Sequence, residues 1–345
     1  MEKLRLDFYE SGDGETTIIT FPGGGLGVVD AHPSPSHSRS DILSLTKGKT
    51  IHFACLTHPH ADHGVDLIPL LESHPNIRSF WHTASPVDAF IFWTTETTNY
   101  PSPVRQFAHD LRKGWADFLT DLYGAAAQRD EIQPHLLQSN QQPVMIEGVE
   151  IHCLSPDESI RNKFERVYRN RVSGKQAALP DPNSLSAILA LRWGAGLVLL
   201  GGDALKENWD SAHGHHHRRQ LPKATVFKVP HHGARNAMNW KAANYLDLCA
   251  RDRRAKAVLF AGDADHPDAD VYRKLRARTE VFCLANGLAG AEGETNPLQI
   301  NLPGARTVRR PRTCNPVVSI ELDQDGNSSL LAGNNCEACP ANLAP

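Results

Sequence analysis

His58-Pro59-His60-Ala61-Asp62-His63 gathers three imidazoles and a carboxylate into six consecutive positions. Neutral imidazole and carboxylate are the donors that suit Zn, Mn or Fe. A lone His pair is the usual false signal for a metal site, and this cluster is denser than that. Ahead of it, Ile51-His52-Phe53-Ala54-Cys55-Leu56 reads as a buried strand, and behind it Val65 to Glu72 has helical apolar spacing. The donors are therefore expected on a tight loop at the C-terminal end of a strand, with their rings converging.

The same arrangement recurs along the chain. Leu26-Gly27-Val28-Val29 leads into Asp30, and Leu197-Val198-Leu199-Leu200 leads through Gly201-Gly202 into Asp203. Ala224 to Pro230 leads into His231-His232-Gly233, and Ala257 to Phe260 leads towards Asp265-His266-Pro267. Asp30 is expected to orient a ligating histidine rather than merely cap a turn. The Gly201-Gly202 pair would let backbone approach a metal or substrate closely. Gly23-Gly24-Gly25 carries no following Lys-Ser or Lys-Thr, which excludes a P-loop. Arg161, Arg166, Arg169, Arg171 and Lys175 lie in a polar, exposed stretch that reads as a solvated face, with a phosphate-contacting loop as the sharper alternative. His213 to His217 reads as an exposed, incidental tract in a looping segment.

The elements that must position these residues follow from periodicity. Leu4 to Tyr9 alternates like an edge strand, Thr17 to Phe21 reads as another, and Gln142 to Leu154 as two strands around Glu147-Gly148. Asn183 to Leu191 is expected as a strand, Ala237 to Ala250 and Asp270 to Arg278 as helices, and Glu280 to Leu284 as a strand. Val317 to Leu331 reads as a hairpin turning at Asp325-Gly326-Asn327. The interval 75–140 concentrates the aromatics, with a helix expected over Val104 to Tyr123; it reads as a packed helical insertion, or as a lid over the site.

Net charge is −3, from 36 Lys and Arg against 39 Asp and Glu, so no global electrostatic case for nucleic acid exists. Hydrophobic residues make up 40% and charged residues 22%, enough for an ample core. No signal peptide is expected at Met1 to Arg5, no stretch approaches a membrane span, and no membrane partner is expected. Cys55, Cys153, Cys249 and Cys283 sit in apolar runs and read as reduced core residues, which fits the cytoplasm; Cys336 and Cys339 form a CxxC in a tail expected to be flexible over 333–345.

Asp30, the His58–His63 loop, Asp203 and His231 at successive strand ends resemble the metallo-β-lactamase superfamily. The finer pattern is Asn183-x-x-Ser186, Leu199-Leu200-Gly201-Gly202-Asp203, Lys228-Val229-Pro230-His231-His232-Gly233 and Asp265-His266-Pro267. It looks like the C-terminal hydrolase domain of the competence protein ComEC and its stand-alone relatives, over roughly 4–72 and 142–332. The resemblance implies an α/β fold, the four-layer αβ/βα sandwich, over 1–332 with the insertion at about 75–140. It also implies two divalent metal ions, Zn or Mn. His58 and His60 would hold the first, with Asn183 or Asp181. Asp62, His63 and one of His231 or His232 would hold the second, with Asp203 bridging. Asp62 would also orient the attacking hydroxide, and His266 would protonate the leaving oxygen or contact phosphate. Ser186, Arg169 and Arg171 would meet substrate. The interval between Asp203 and His231 is too short for the large inserted domain of RNA-processing members.

The expected reaction is hydrolysis of a phosphodiester, with DNA as the leading substrate. A cyclic nucleotide, another phosphoester or a lactone is the small-molecule alternative. A hydrolase subunit of a multiprotein bacterial defence system, meeting its partner through 75–140, is the third reading.

Overall fold

The computed structural model describes residues 2–11, 14–32, 42–83, 117–172, 181–240, 244–250, 255–260, 266–284 and 317–333. They form two sheets. The first runs from β1 (Leu4–Ser11), β2 (Gly14–Thr20) and β3 (Leu26–Val29) through β4 (Ile51–Leu56) and β5 (Ser79–His82) to β6 (Gln133–Leu136). The second holds β7 (Val144–Ile146), β8 (Val149–Ser155), β9 (Ile188–Trp193), β10 (Gly196–Leu200), β11 (Val226–Lys228), β12 (Lys256–Phe260) and β13 (Glu280–Leu284), in that order across the sheet. The hairpin β14 (Val317–Leu322) and β15 (Ser328–Ala332) returns to the first sheet and pairs with β1.

Each sheet is antiparallel on one side and parallel on the other. In the first, β3, β4, β5 and β6 run parallel; in the second, β10, β11, β12 and β13 do. Parallel strands align their C-terminal ends, so the loops after β3, β4, β10 and β11 come out along one edge. Successive strand residues face opposite sides. Leu4, Leu6 and Phe8 therefore meet Val198, Leu200, Val258 and Phe260 in a core between the sheets. The other faces are covered by helices, among them α1 (Ile42–Thr46), α2 (Leu67–Ser73) and α3 (Asp117–Ala127) on the first sheet. Leu67, Leu70 and Leu71 of α2 recur at helical spacing and pack there with Phe118 and Leu122.

Of the helices that follow, α4 (Glu158–Val172) precedes the site turn at 182–185, and α5 (Lys206–Arg218) and α6 (Ala269–Arg278) cover the second sheet. Trp209 from α5 and Tyr272 from α6 are fully buried there; burying such a side chain stabilises by about 1.5–3 kcal/mol or more. Asp268 starts α6 by accepting the Asp270 and Val271 amides, which satisfies two donors that the first turn leaves free. The architecture is the layered αβ/βα sandwich expected from the sequence.

Several local expectations change. β1 is no edge strand; it lies between β14 and β2. The arginine-rich stretch is helical, not a loop: Arg161 to Arg171 ride on α4, and the side chains of Arg169 and Arg171 lie outside the described residues. His213 to His217 belong to α5, where His216 is buried and meets the Pro222 carbonyl at 2.9 Å and His213 meets that of Asn244 at 2.8 Å. These two histidines anchor the helix rather than lie idle. Asn183 sits on a 3-10 turn, Pro182–Leu185, ahead of β9 rather than in it. In place of the helix expected over 237–250, the described backbone forms short 3-10 turns at Arg235–Ala237 and Tyr245–Leu248; Asn244 and Asp247 cap the second, and apolar spacing alone does not separate such turns from a helix. The interval 75–140 opens and closes on strands of the first sheet, β5 and β6, with α3 between them. Residues 84–116, most of the expected helix at 104–123, and the CxxC lie outside the described residues.

Candidate metal centre

The loop after β4 delivers the histidine cluster on a short turn, Ala61–His63, and its geometry is fixed by Asp30 from the end of β3. Asp30 Oδ1 accepts the Thr57 amide at 2.8 Å. Its Oδ2 takes the Thr57 hydroxyl at 2.7 Å and lies 2.8 Å from His63 Nδ1. In the neutral ring that can bind a cation, such a contact places the proton on Nδ1 and leaves the lone pair on Nε2. His63 Nε2 is buried without a hydrogen-bond partner and lies 3.7 Å from Asp203 Oδ2 and 3.8 Å from Asp62 Oδ2. The same chain of contacts orients His58. Thr57 Oγ1, its hydrogen given to Asp30, accepts from His58 Nδ1 at 3.1 Å, and His58 Nε2 meets His60 Nδ1 at 3.1 Å. Gly14 passes so close behind this loop that a Cβ there would lie 2.1 Å from the Asp62 carbonyl oxygen.

The second sheet supplies the other half. Gly202 holds a φ of +47° and packs on Thr57, where a Cβ would meet Oγ1 at 2.9 Å. The close approach expected of this glycine is thus to the neighbouring sheet, and it brings Asp203 to the histidine loop. After β11, His231 and His232 take consecutive left-handed conformations, φ 47° and 52°. Both Nε2 atoms lie 3.9 Å from Asp203 Oδ2. His232 Nδ1 meets the Phe260 carbonyl at 3.3 Å, so its Nε2 also faces inward as a lone pair. His231 Nε2 meets Asn183 Nδ2 at 3.3 Å, and Asn183 Oδ1 and Ser186 Oγ are buried without partners. The His266 ring lies 5.9 Å from that of His231.

Burial pushes His58 well below the usual imidazole range, reinforced by the neighbouring His63. It pushes His232 down to about 4. Burial would depress His63 too, but Asp203, Asp30 and Asp62 overcome it and hold this ring well above the usual range. Burial would raise Asp203, yet His63, His232 and Lys228 keep its carboxyl well below the usual range.

These donors fit a divalent cation. Glu15, His63, Asp203 and His232 offer ligand atoms all within 4.8 Å of one another, every one of them buried. The orphaned His63 Nε2 and Asp203 Oδ1 are buried polar atoms whose cost a cation or its water would relieve. Of the residues expected from the sequence, the structure brings together Asp30, His58, His60, Asp62, His63, Asn183, Ser186, Asp203, His231 and His232, with His266 at the margin. It adds Glu15, at the start of β2, and Lys228, at the end of β11, both buried. In the sequence each is a charged residue in a strand-like apolar or β-branched run; Lys228 opens the Lys228–Gly233 segment of the resemblance, which implies no role for it.

No protein-family model matches the chain, and no curated protein matches it. Among solved structures it is similar to Igni18, described as a novel metallo hydrolase from the archaeon Ignicoccus hospitalis, at 12% identity and a TM-score of 0.43 over 81% of this chain and 95% of that one. It is similar to CmlA, a diiron β-hydroxylase from Streptomyces venezuelae, at 12% identity and TM-score 0.40 over 84% of this chain and 46% of the other. A diphosphatase of the PhnP family is 10% identical with TM-score 0.35, over 81% and 86% respectively. At this level of likeness none of these proteins' activities carries over to the chain.

Proposed function

We propose that the chain is a metal-dependent hydrolase, a phosphodiesterase acting on DNA, with its reaction centre at the His58–His63 loop, Asp203 and the His231–His232 turn. One observation carries the reading: imidazole lone pairs from both sheets, each with its Nδ1 held by an oxygen, aim at one buried carboxylate. When bound, divalent cations supply Lewis acidity and a nucleophile at neutral pH. His63, His232 and Asp203 would hold one cation, Zn or Mn. His58, His60 and Asn183 would hold a second, and Asp62, whose side chain is 39% exposed, would orient the attacking water. His231 and His266 face each other at the margin, placed to contact a phosphate oxygen or to protonate the leaving oxygen.

The likeness to the ComEC hydrolase domain, in the Asn183-x-x-Ser186 and Pro230-His231-His232-Gly233 segments, supports a nucleic-acid phosphodiester as substrate. Arg169 and Arg171 would contact its backbone. The interval 75–140 would form a wall of the site or the surface for a partner protein. Buried free thiols at Cys55, Cys153, Cys249 and Cys283 support a reducing, cytoplasmic setting. Among the described residues no helix is long and apolar enough to cross a membrane.

The test is metal analysis of purified protein together with a panel of linear single- and double-stranded DNA, RNA and bis-p-nitrophenyl phosphate, with Asp62→Ala as control. Mn- or Zn-dependent DNA degradation that Asp62→Ala abolishes is expected. Cleavage of the small phosphodiester with every nucleic acid left intact moves the substrate to the small-molecule class. No bound metal and no turnover sinks the reading.

A further inference from the structure

Lys228 is a buried lysine at the end of β11, 2% exposed, in an otherwise apolar strand. Its ammonium donates to the Gly202 carbonyl at 2.7 Å, is ion-paired with Glu15 Oε1 in close contact, and lies 3.7 Å from Asp203 Oδ1. Glu15 comes from the opposite sheet, is 3% exposed, and places its other oxygen 3.8 Å from His63 Nδ1. An ammonium taken out of water costs several kcal/mol unless it is well paired, so a buried lysine here needs a reason beyond stability.

The position of the pair supplies one. The ligand atoms of the candidate centre come from two separate sheets: His58, His60 and His63 after β4, Asp203 and His232 after β10 and β11. Among the described residues near the centre, the charged contact that spans both sheets without using a histidine or Asp62 is Glu15–Lys228. Lys228 also grips the carbonyl of Gly202, the residue whose left-handed turn throws Asp203 towards His63. Its charge further divides the two oxygens of Asp203: Oδ1 faces the ammonium, while Oδ2 faces His63, His231 and His232. Glu15 therefore has an occupied role and need not be a ligand, although its oxygens lie within ligand range of the others.

We propose that Glu15 and Lys228 are a positioning pair: a buried clamp between the two sheets that holds Asp203 with Oδ2 turned to the histidines and so sets the affinity of the centre for its cation. The inference rests on the reading of the centre as a metal site. Residues that orient metal ligands typically change affinity by about 10–100-fold when lost.

The test is calorimetric titration of metal-free protein with Mn2+ and, separately, Zn2+, alongside thermal melting. Lys228→Met and Glu15→Gln each lower cation affinity by about 10–100-fold and lower the melting temperature, since each strands its partner. In Glu15→Met/Lys228→Met, apolar side chains of similar length replace the whole pair. Melting then returns towards the unaltered value while the affinity stays low. That separation is what a merely structural pair does not give: a structural pair recovers both together. Affinity within about twofold of the unaltered chain in folded Glu15→Gln, or in the double variant, overturns the proposal. Should the unaltered chain bind neither cation, the hydrolase reading fails rather than the clamp.

Discussion

The two halves of the candidate centre are held by different physics. On the first sheet, the histidine loop hangs from one buried carboxylate: Asp30 takes three contacts of 2.7–2.8 Å, and the relay through Thr57 extends to His58. On the second sheet, His231 and His232 are aimed mainly by backbone torsion, two successive left-handed residues with side-chain contacts no shorter than 3.3 Å. Such residues outside glycine cost of order 1 kcal/mol each and persist where the surroundings impose them. The first half is therefore preformed by hydrogen bonds that survive without a cation. Left-handed backbone occurs in both halves, at Asp30 in the first (φ 54°) and at two successive ligand-bearing residues in the second, where it does more of the aiming. Asp203 belongs to both, because its Oδ2 is where they meet.

The largest effect should come from removing that meeting point. Asp203→Ala removes the carboxylate that Lys228 and His63 share, while each keeps one buried partner, Glu15 and Asp30. The loss destabilises, by less than the about 3–5 kcal/mol typical of a buried charge left with no partner. Chemical denaturation in chelator measures this, and calorimetry should detect no Mn2+ binding. If the variant still bound the cation tightly, the two halves would not share a ligand.

The next effect is a pH profile of stability in metal-free protein, whose acid limb is shared by His58 and His232 and whose alkaline limb belongs to the first half through His63. His232 is held down to about 4, below the 6.5 of an unfolded histidine. Between those values the unfolded chain binds more protons, so stability falls as pH falls, by roughly 2–3 kcal/mol over the window. His63 is held well above 6.5. Its stabilisation is complete below 6.5 and is lost as pH rises through its folded value. His232→Gln should weaken the acid limb, part of which His58 keeps, and His63→Gln should weaken the alkaline one. The opposite assignment in melting curves across pH 4–9 would reverse the comparison.

Asp30→Asn comes third. It keeps the shape of the side chain but weakens its hold on Thr57 and His63. Cation affinity should fall by about 10–100-fold, the usual range for a residue that orients a ligand. Titration calorimetry checks this, and an affinity unchanged within error would mean that the first half is held some other way.

The layered scaffold was legible in sequence, several of its local elements were not, and the candidate donors were legible as a cluster. His58 to His63, Asp203 and His231-His232 declare themselves because several donors crowd together at the ends of apolar runs, and strand-end placement follows from the period of those runs. Asn183 and Ser186 came with the resemblance. Lys228 came with the resemblance but without a role, and Glu15 did not stand out, because one charged residue in a strand looks the same whether it faces water or the interior between two sheets, and only the contact between β2 and β11 decides. The same ambiguity misplaced His216, whose tract reads as polar and exposed until α5 turns it inward. At 237–250, apolar spacing suits a helix, but the described backbone makes brief 3-10 turns, the second capped by Asn244 and Asp247.

The smallest effect is also the most direct test of how the halves differ. At His231 the backbone φ is +47°, where glycine is unstrained and alanine is not. His63 sits on the Ala61–His63 turn and is absent from the positive-φ residues, so alanine is the better fit there. In chelator, with no cation to bind, His231→Gly should therefore be more stable than His231→Ala by about 1 kcal/mol. At His63 the order should invert, Ala exceeding Gly by about 0.5–1 kcal/mol. Each comparison removes the same imidazole in both variants, so lost ligation and lost packing largely cancel and the difference reports the backbone. If glycine and alanine came out equal at His231, torsional strain would not be what aims the second half. The long side-chain contacts to Asn183 and Phe260 would then have to do so alone.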